Sequence, residues 1–370
     1  MTLKGQKNHY NIKLLRGYGV SINLRNNKIV LKGGSDVFTG QFEQEEWFVT
    51  QIPYERIVIS GKGYISTEAI KLLTDKNINV ILTDTYGNLL TAMHKVMSSP
   101  TAMNNRIGQY DTFRNPEKVA YLQKQLLESK LKSQIEFLKS IQRPEVQEAI
   151  DGLARYLTQI EKAGDKRDLL TIESRAGHLY FRNYAKLFPE KYGFLSRHGG
   201  GLVMSNRYAS DIVNGLLNYG YTVLAGEIAK FVNGIGLDPY FGFMHRSHNS
   251  FQALVYDLIE PFRWLVENAV YKVVVEESNH GRSVKRNEYA WTREGKILLD
   301  SSLIRRFLEL LERIFQVERP YKFRHGLRMK NGLSMCQELT IVKTKVHELA
   351  TYCITMGTTS DFMGGEENVA

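Results

Sequence analysis

The chain has 370 residues, and its 49 Lys and Arg against 39 Asp and Glu leave a formal net charge of +10. At 43% hydrophobic and 24% charged it has globular composition, which excludes wholesale disorder and fibrous repeats, and its length suggests about two domains. Two cysteines, Cys336 and Cys353, exclude a disulfide framework and offer no CxxC start to a zinc site, while the basic balance favours a polyanionic partner such as nucleic acid.

Residues 1–11 are polar and lack the apolar core of a secretory signal. The stretch from Leu14 to Leu31 alternates loosely and turns at Asn26-Asn27, a pair that tolerates the positive φ of a tight hairpin. Short apolar runs at 56–60 and 79–83 predict strands. Between them, Ser66 is placed to cap a helix whose apolar face is Ala69, Ile70, Leu72 and Leu73. Residues 97–115 are polar and carry Ser99-Pro100 and Asn115-Pro116, so they read as a linker. From Pro116 the hydrophobic period changes from two to about 3.6. Leu122, Leu126, Leu127, Leu131 and Ile135 fall on one face of a long helix, and further helices are predicted at 143–161, 168–186, 210–232, 251–275, 301–317 and 333–355. No run is apolar enough to cross a bilayer, because the most apolar one, 213–237, carries Glu227 and Lys230. The expected architecture is multi-domain α+β. A small β-rich, sandwich-like N-terminal domain with one short helix (1–96) is followed by the linker, a larger all-α domain (116–357) and a Gly-, Thr- and Glu-rich tail (358–370). A soluble, cytoplasmic protein without membrane contact is expected.

Signatures of a nucleophilic serine or a phosphate-binding P-loop are absent. Gly199-Gly200-Gly201 could cradle a phosphate or serve as a flexible connection. Asp257 and Glu260 lie three apart on a predicted helix, beside the apolar stripe of Leu254, Leu258 and Leu265. Pro261 follows at once and should bend the helix by leaving the Asp257 carbonyl without its usual donor. His245 precedes this helix in a Gly-Phe-Met-His loop. One histidine with carboxylates suits Mg²⁺ or Mn²⁺, although acids on a helix are also a common solvated face. Glu173 is a further acidic candidate, with a first-turn glutamate favoured by the helix dipole as the plain alternative. Asn214 and Asn218 lie one turn apart on an apolar helix, which calls for a polar site or a hydrogen-bond network.

Together these stretches resemble the CRISPR-associated integrase-endonuclease of spacer acquisition. The resemblance rests on Glu173-Ser-Arg-Ala-Gly-His-Leu-Tyr180-Phe181, the Asn206-to-Tyr221 stretch, Gly242-Phe243-Met244-His245, and Leu254-Val-Tyr-Asp257-Leu-Ile-Glu260-Pro261-Phe262-Arg263. It covers the chain from about Tyr10 to Thr355. It implies a metal-dependent DNA endonuclease and integrase, in which Glu173, His245 and Glu260 ligate Mg²⁺ or Mn²⁺. By the same resemblance, Asp257 is a second acid near the metal, and Arg263 supports Glu260 or the fold. It also implies a homodimer through the β-rich domain, a small adaptation partner protein that bridges two dimers, and double-stranded, branched and CRISPR repeat DNA as substrates. The expected reaction is transesterification, a 3′-hydroxyl attacking a phosphodiester of the repeat array. Basic residues that could bind the DNA backbone are Arg282, Lys285 and Arg286 in one segment and Lys322, Arg324, Arg328 and Lys330 in another, the latter interleaved with aromatic side chains. The alternatives are a mobile-element integrase of the same superfamily and a catalytically silent DNA-binding scaffold. The first often appends a DNA-binding helical domain, for which the tail after Thr355 leaves no room.

Overall fold

The structure, a computed structural model, describes residues 11–35, 40, 42–93, 99–197, 208–245, 252–276, 283–322 and 334–355. Strands β1 (Ile12–Arg25), β2 (Lys28–Lys32), β3 (Gln44–Phe48) and β4 (Arg56–Ile65) lead to helix α1 (Thr67–Asp75), then β5 (Asn79–Thr83) and β6 (Leu89–Met93). They form one hydrogen-bonded sheet in the order β3-β2-β1-β4-β5-β6. The expected β-rich domain is thus built on one continuous sheet. The reason is the length of β1, whose 14 residues pair antiparallel with β2 at one end and parallel with β4 along most of the strand. The turn at Asn26-Asn27 is as expected, with φ of 47° and 59°. Between Tyr18 and Val20 the β1–β4 register slips, and Gly17 and Gly19 take positive φ of 100° and 88° to make that bulge. Ser66 caps α1 by accepting the Ala69 N–H at 3.2 Å, and Ala69 and Leu73 pack on a core of Leu15, Ile22, Ile29, Leu31, Ile57 and Val80.

Residues 99–115, expected as part of a linker, instead begin the helical part of the chain. Helix α2 (Pro100–Arg114) starts where the Ser99 hydroxyl accepts the Ala102 N–H, with Pro100 as its first residue. Helix α3 (Pro116–Ile141) repeats the device: the Asn115 side chain accepts the N–H groups of Glu117 and Lys118. Ser-Pro and Asn-Pro are turn signals and also a cap followed by a first helical residue, and here they are the latter. Several polar residues of α2 are buried: Asn105 donates to the Ile235 carbonyl, and Gln109 to those of Asp238 and Phe241.

Helices α4 (Gln147–Lys162), α5 (Lys166–Ala185) and α6 (Ile212–Ile235) follow. Asp211 caps α6, accepting the Asn214 N–H at 2.8 Å and its side-chain amide at 2.7 Å, so Asn214 serves a cap network. The helix expected over 251–275 is divided. Helix α7 (Ala253–Ile259) ends in a 3-10 turn, Glu260–Phe262, before α8 (Arg263–Tyr271) and a π-helical turn, Lys272–Glu276. Pro261 has no N–H to give the Asp257 carbonyl, which takes the Glu260 N–H instead. The body is not purely helical either. Strands β7 (Tyr289–Trp291) and β8 (Ile297–Leu299) pair before helix α9 (Ser301–Phe315), and β9 (Glu318–Tyr321) pairs with β10 (Ser334–Gln337) before helix α10 (Glu338–Ile354).

Two compact units divide the chain without following its order. The sheet unit takes its described residues from 1–95, 201–230 and 272–313, and the helical unit from 96–200, 231–271 and 314–370. The first boundary lies after Lys95. The two later segments join the sheet unit, which hydrophobic period cannot reveal, because a period reports a face and not the partner of that face. Inside the sheet unit, Arg56 of β4 is 1% exposed. Its guanidinium pairs with Glu227 of α6 at 3.0 Å and with Glu312 of α9. Asn79 adds a 2.8 Å hydrogen bond to Glu227. Burial works against the Glu227 charge, but Arg56, Lys230 and these hydrogen bonds outweigh it and hold its pKa below the usual value. Among the described residues no helix is long and apolar enough to cross a membrane.

Candidate active site

The site lies in the helical unit and starts from α3. Its stripe Leu122, Leu126, Leu127, Leu131 and Ile135 is buried, each side chain contributing about 2 kcal/mol of burial. Lys130 stands four residues after Leu126 and three after Leu127, on the same side of the helix. Its ammonium lies 2.8 Å from Glu173 Oε1 of α5 and 2.6 Å from Glu260 Oε2 in the 3-10 turn. A lysine in an apolar stripe is the one signal of this role that the sequence carries.

Glu173 is past the first turn of α5, which Asp165 caps, so the helix-dipole alternative does not apply to it. Helix α5 is fixed against α8 by two tyrosines. Tyr180 donates to the buried Glu267 carboxylate, and Tyr184 donates to the Glu267 carbonyl at 2.7 Å. Glu260 is buried, and its other oxygen, Oε1, accepts from Arg263 Nη1 at 3.0 Å. Arg263 therefore supports Glu260, as expected. Burial would raise the Glu260 pKa, but the Arg263 and Lys130 charges push it down to about 2, so it is ionised at neutral pH. Burial likewise opposes the charge on Lys130, yet Glu260 and Glu173 prevail and its pKa is raised.

His245 and Asp257 form the second half of the site. Asp257 is completely buried, and its carboxylate gathers the loop before α7. Oδ2 accepts the N–H groups of Phe243 at 2.7 Å and Met244 at 3.0 Å, and Oδ1 accepts the His245 N–H at 2.8 Å. The His245 ring donates from Nδ1 to Asp257 Oδ1 at 2.7 Å, which leaves Nε2 as the nitrogen with a lone pair. Burial lowers the His245 pKa, but the Asp257 hydrogen bond and the charges of Asp257, Glu260 and Glu173 raise it on balance. The fields of all three acids thus reach this ring. Gly242 lets the loop approach Asp257, since a Cβ there would come within 2.6 Å of Oδ2. Further anchors come from neighbouring helices. Gln123 of α3 donates to the Phe243 carbonyl at 2.6 Å, Gln109 of α2 accepts the Asp238 N–H at 2.7 Å, and Lys166 of α5 donates to the Met244 carbonyl at 3.0 Å.

The fold therefore brings Glu173 and Glu260 onto one ammonium and fixes His245 on Asp257. Among the described residues, no three His, Cys, Asp or Glu side chains are grouped to hold an ion as they stand. The donor types do fit a hard divalent cation, because two carboxylates and an imidazole nitrogen suit Mg²⁺ or Mn²⁺, and the carboxylates already share a positive charge. Lys285 and Arg286 are exposed in the sheet unit, and Arg286 lies 5.0 Å from the ring centres of both Tyr289 and Trp291. Lys322, also exposed, follows β9 in the helical unit. Arg282, Arg324, Arg328 and Lys330, the glycine run 199–201 and the tail 358–370 lie outside the described residues.

A mixed-sheet unit together with a helical unit that carries a carboxylate–imidazole cluster defines a two-unit α+β protein. The chain belongs to the Cas1 family, since the model described as CRISPR associated protein Cas1 matches residues 14–313. A relative from Archaeoglobus fulgidus, CRISPR-associated endonuclease Cas1 1, is 33% identical over 233 residues, which are 58% of this chain and 66% of that protein. A solved casposase bound to its integration product superposes with a TM-score of 0.81 at 26% identity, covering 96% of this chain and 94% of that one. A Cas1 protein from Thermotoga maritima has the same fold, with a TM-score of 0.69 at 16% identity over 93% of this chain and 97% of that one.

Proposed function

We propose that this protein is a metal-dependent DNA endonuclease and integrase of CRISPR spacer acquisition. In this reading it joins the 3′-hydroxyl of a short DNA duplex to a phosphodiester of the repeat array. The observation that carries the reading is the convergence of Glu173 and Glu260 from separate elements on one cation, in the same field as an oriented His245. Glu173, His245 and Glu260 would hold Mg²⁺ or Mn²⁺, which when bound polarises the target phosphate and offsets charge on the leaving oxygen. Asp257 orients His245 and holds the Phe243-to-His245 backbone, so Nε2 is presented with little freedom. Arg263 keeps Glu260 ionised and fixed. In the reaction the hydroxyl oxygen forms a bond to phosphorus, the phosphorus bond to the target 3′-oxygen breaks, and the hydroxyl proton leaves while the departing oxygen takes one up. The protein's share is positioning and electrostatics. Water in place of the hydroxyl gives hydrolysis, and the reverse reaction resolves branched DNA.

The A. fulgidus relative, named an endonuclease, and the casposase, solved bound to its integration product, support the nuclease and integrase parts. The reading includes a homodimer and a small partner protein joining two dimers. The experiment is strand transfer by purified protein with Mn²⁺ or Mg²⁺. Glu260→Ala and His245→Ala are each expected to abolish it while DNA binding persists, and undiminished strand transfer would overturn the assignment. The casposase likeness also favours a second reading, a mobile-element integrase. Supplying both repeat DNA and an unrelated target separates the two, because spacer acquisition requires preference for the repeat.

A further inference from the structure

Glu260 has a cation on each oxygen, Arg263 on Oε1 and Lys130 on Oε2. The two cations differ in kind. Arg263 is tethered three residues away, pairs with Glu260 and keeps its charge at every working pH. Lys130 comes from another helix and reaches across to Glu173, the other carboxylate proposed as a ligand. The Lys130 ammonium meets Glu260 Oε2 in a close ion pair at 2.6 Å. Two carboxylates so close, with side chains only 21% and 7% exposed, repel each other unless a cation lies between them. A lysine can fill that place and leave it again, because its ammonium is a compact charge on a flexible four-carbon stem. A divalent ion taking the same oxygens at about 2.1 Å would stand within a few ångström of the ammonium, where the two repel strongly.

We propose that Lys130 is a positioning residue, a built-in stand-in for the metal. It holds Glu173 and Glu260 together before the ion arrives and is displaced from them when it binds. The inference rests on the metal reading above. It makes Lys130 a competitor of the metal as well as a support of its site, which a purely structural lysine would not be.

The test measures Mn²⁺ affinity by titration calorimetry and thermal stability with and without Mn²⁺, for wild type, Lys130→Met and Glu260→Gln. Lys130→Met is expected to melt lower in metal-free buffer, to bind Mn²⁺ about tenfold or more tightly than wild type, and to regain its melting temperature when Mn²⁺ is added. Equal or weaker Mn²⁺ binding by Lys130→Met, with binding lost in Glu260→Gln, would overturn the role of Lys130 and leave the metal reading intact. Failure of wild type and Lys130→Met alike to bind Mn²⁺ would overturn both. A second measurement needs no variant. Amine-reactive labelling of wild type, read by mass spectrometry, should increase at Lys130 when Mn²⁺ is saturating. Unchanged or reduced labelling there would equally reject displacement.

Discussion

At the scale of single residues, Asp257 shows how one buried carboxylate can orient a neighbouring side chain and the loop that carries it. Its two oxygens accept three backbone N–H groups and the His245 ring, so both are occupied by donors. Asp257→Asn keeps the shape but turns one oxygen into an amide that faces donors. The expected cost is about 1–3 kcal/mol of stability, for one buried group left unsatisfied. Strand transfer should fall roughly 10–100-fold, as for other residues that orient a ligand. Denaturant unfolding and strand-transfer rates check the two parts, and an unimpaired rate would mean that His245 needs no such support. Much of this was legible in the chain. His245, Asp257, Glu260, Pro261 and Arg263 lie within twenty residues, and helical spacing ties most of them together. The clamp on the loop was not legible, because it depends on how the backbone at 243–245 folds back. Lys130 was still less so, since α3, α5 and the 3-10 turn meet only through packing.

At the scale of elements, polar residues account for the largest departures from the expected layout. Helix α2 resembles a linker because Asn105, Gln109 and Thr112 replace the apolar side chains that a buried helix face usually carries. The Asn105 amide donates to the carbonyl of Ile235 at the end of α6, and the Gln109 amide to the loop carbonyls of Asp238 and Phe241, so the helix is anchored by hydrogen bonds where periodicity looks for leucines. The Arg56 network is the counterpart in the sheet unit, joining β4 to α6 and α9 through Glu227 and Glu312. It predicts a defined response to acid. In the folded protein the Glu227 pKa lies below the ordinary glutamate value of 4.5. Its contribution to stability is therefore complete at pH values above 4.5 and is lost as pH falls from there through the folded pKa. Urea midpoints should hold steady from neutrality to about pH 5 and then decline. Arg56→Met should cost about 3–5 kcal/mol at neutral pH, since it takes the guanidinium away from two buried carboxylates. Midpoints that do not move in that variant would show the network to be dispensable.

At the scale of the whole molecule, the formal charge of +10 concerns affinity rather than chemistry. The catalytic cluster proposed here is itself acidic, so DNA must be held by residues elsewhere. Among the described residues, Lys285, Arg286 and Lys322 are exposed cations that would meet this need, and Arg286 rests against two aromatic rings that could also stack a base. Phosphate contacts release counterions, so the logarithm of the association constant should fall linearly with the logarithm of salt concentration. Replacing Lys285 and Arg286 together by Ala should weaken binding to unrelated duplexes about equally. It should also reduce the salt slope by roughly one to two, because each lost phosphate contact removes about one released ion. Arg286→Lys separates charge from stacking: it should preserve the slope but lose affinity for single-stranded ends, where a planar guanidinium supported by Trp291 matters most. Fluorescence anisotropy over a salt series measures both quantities. A slope unchanged in the double variant would remove these two residues from the DNA-binding surface and shift that role to the basic segment after β9.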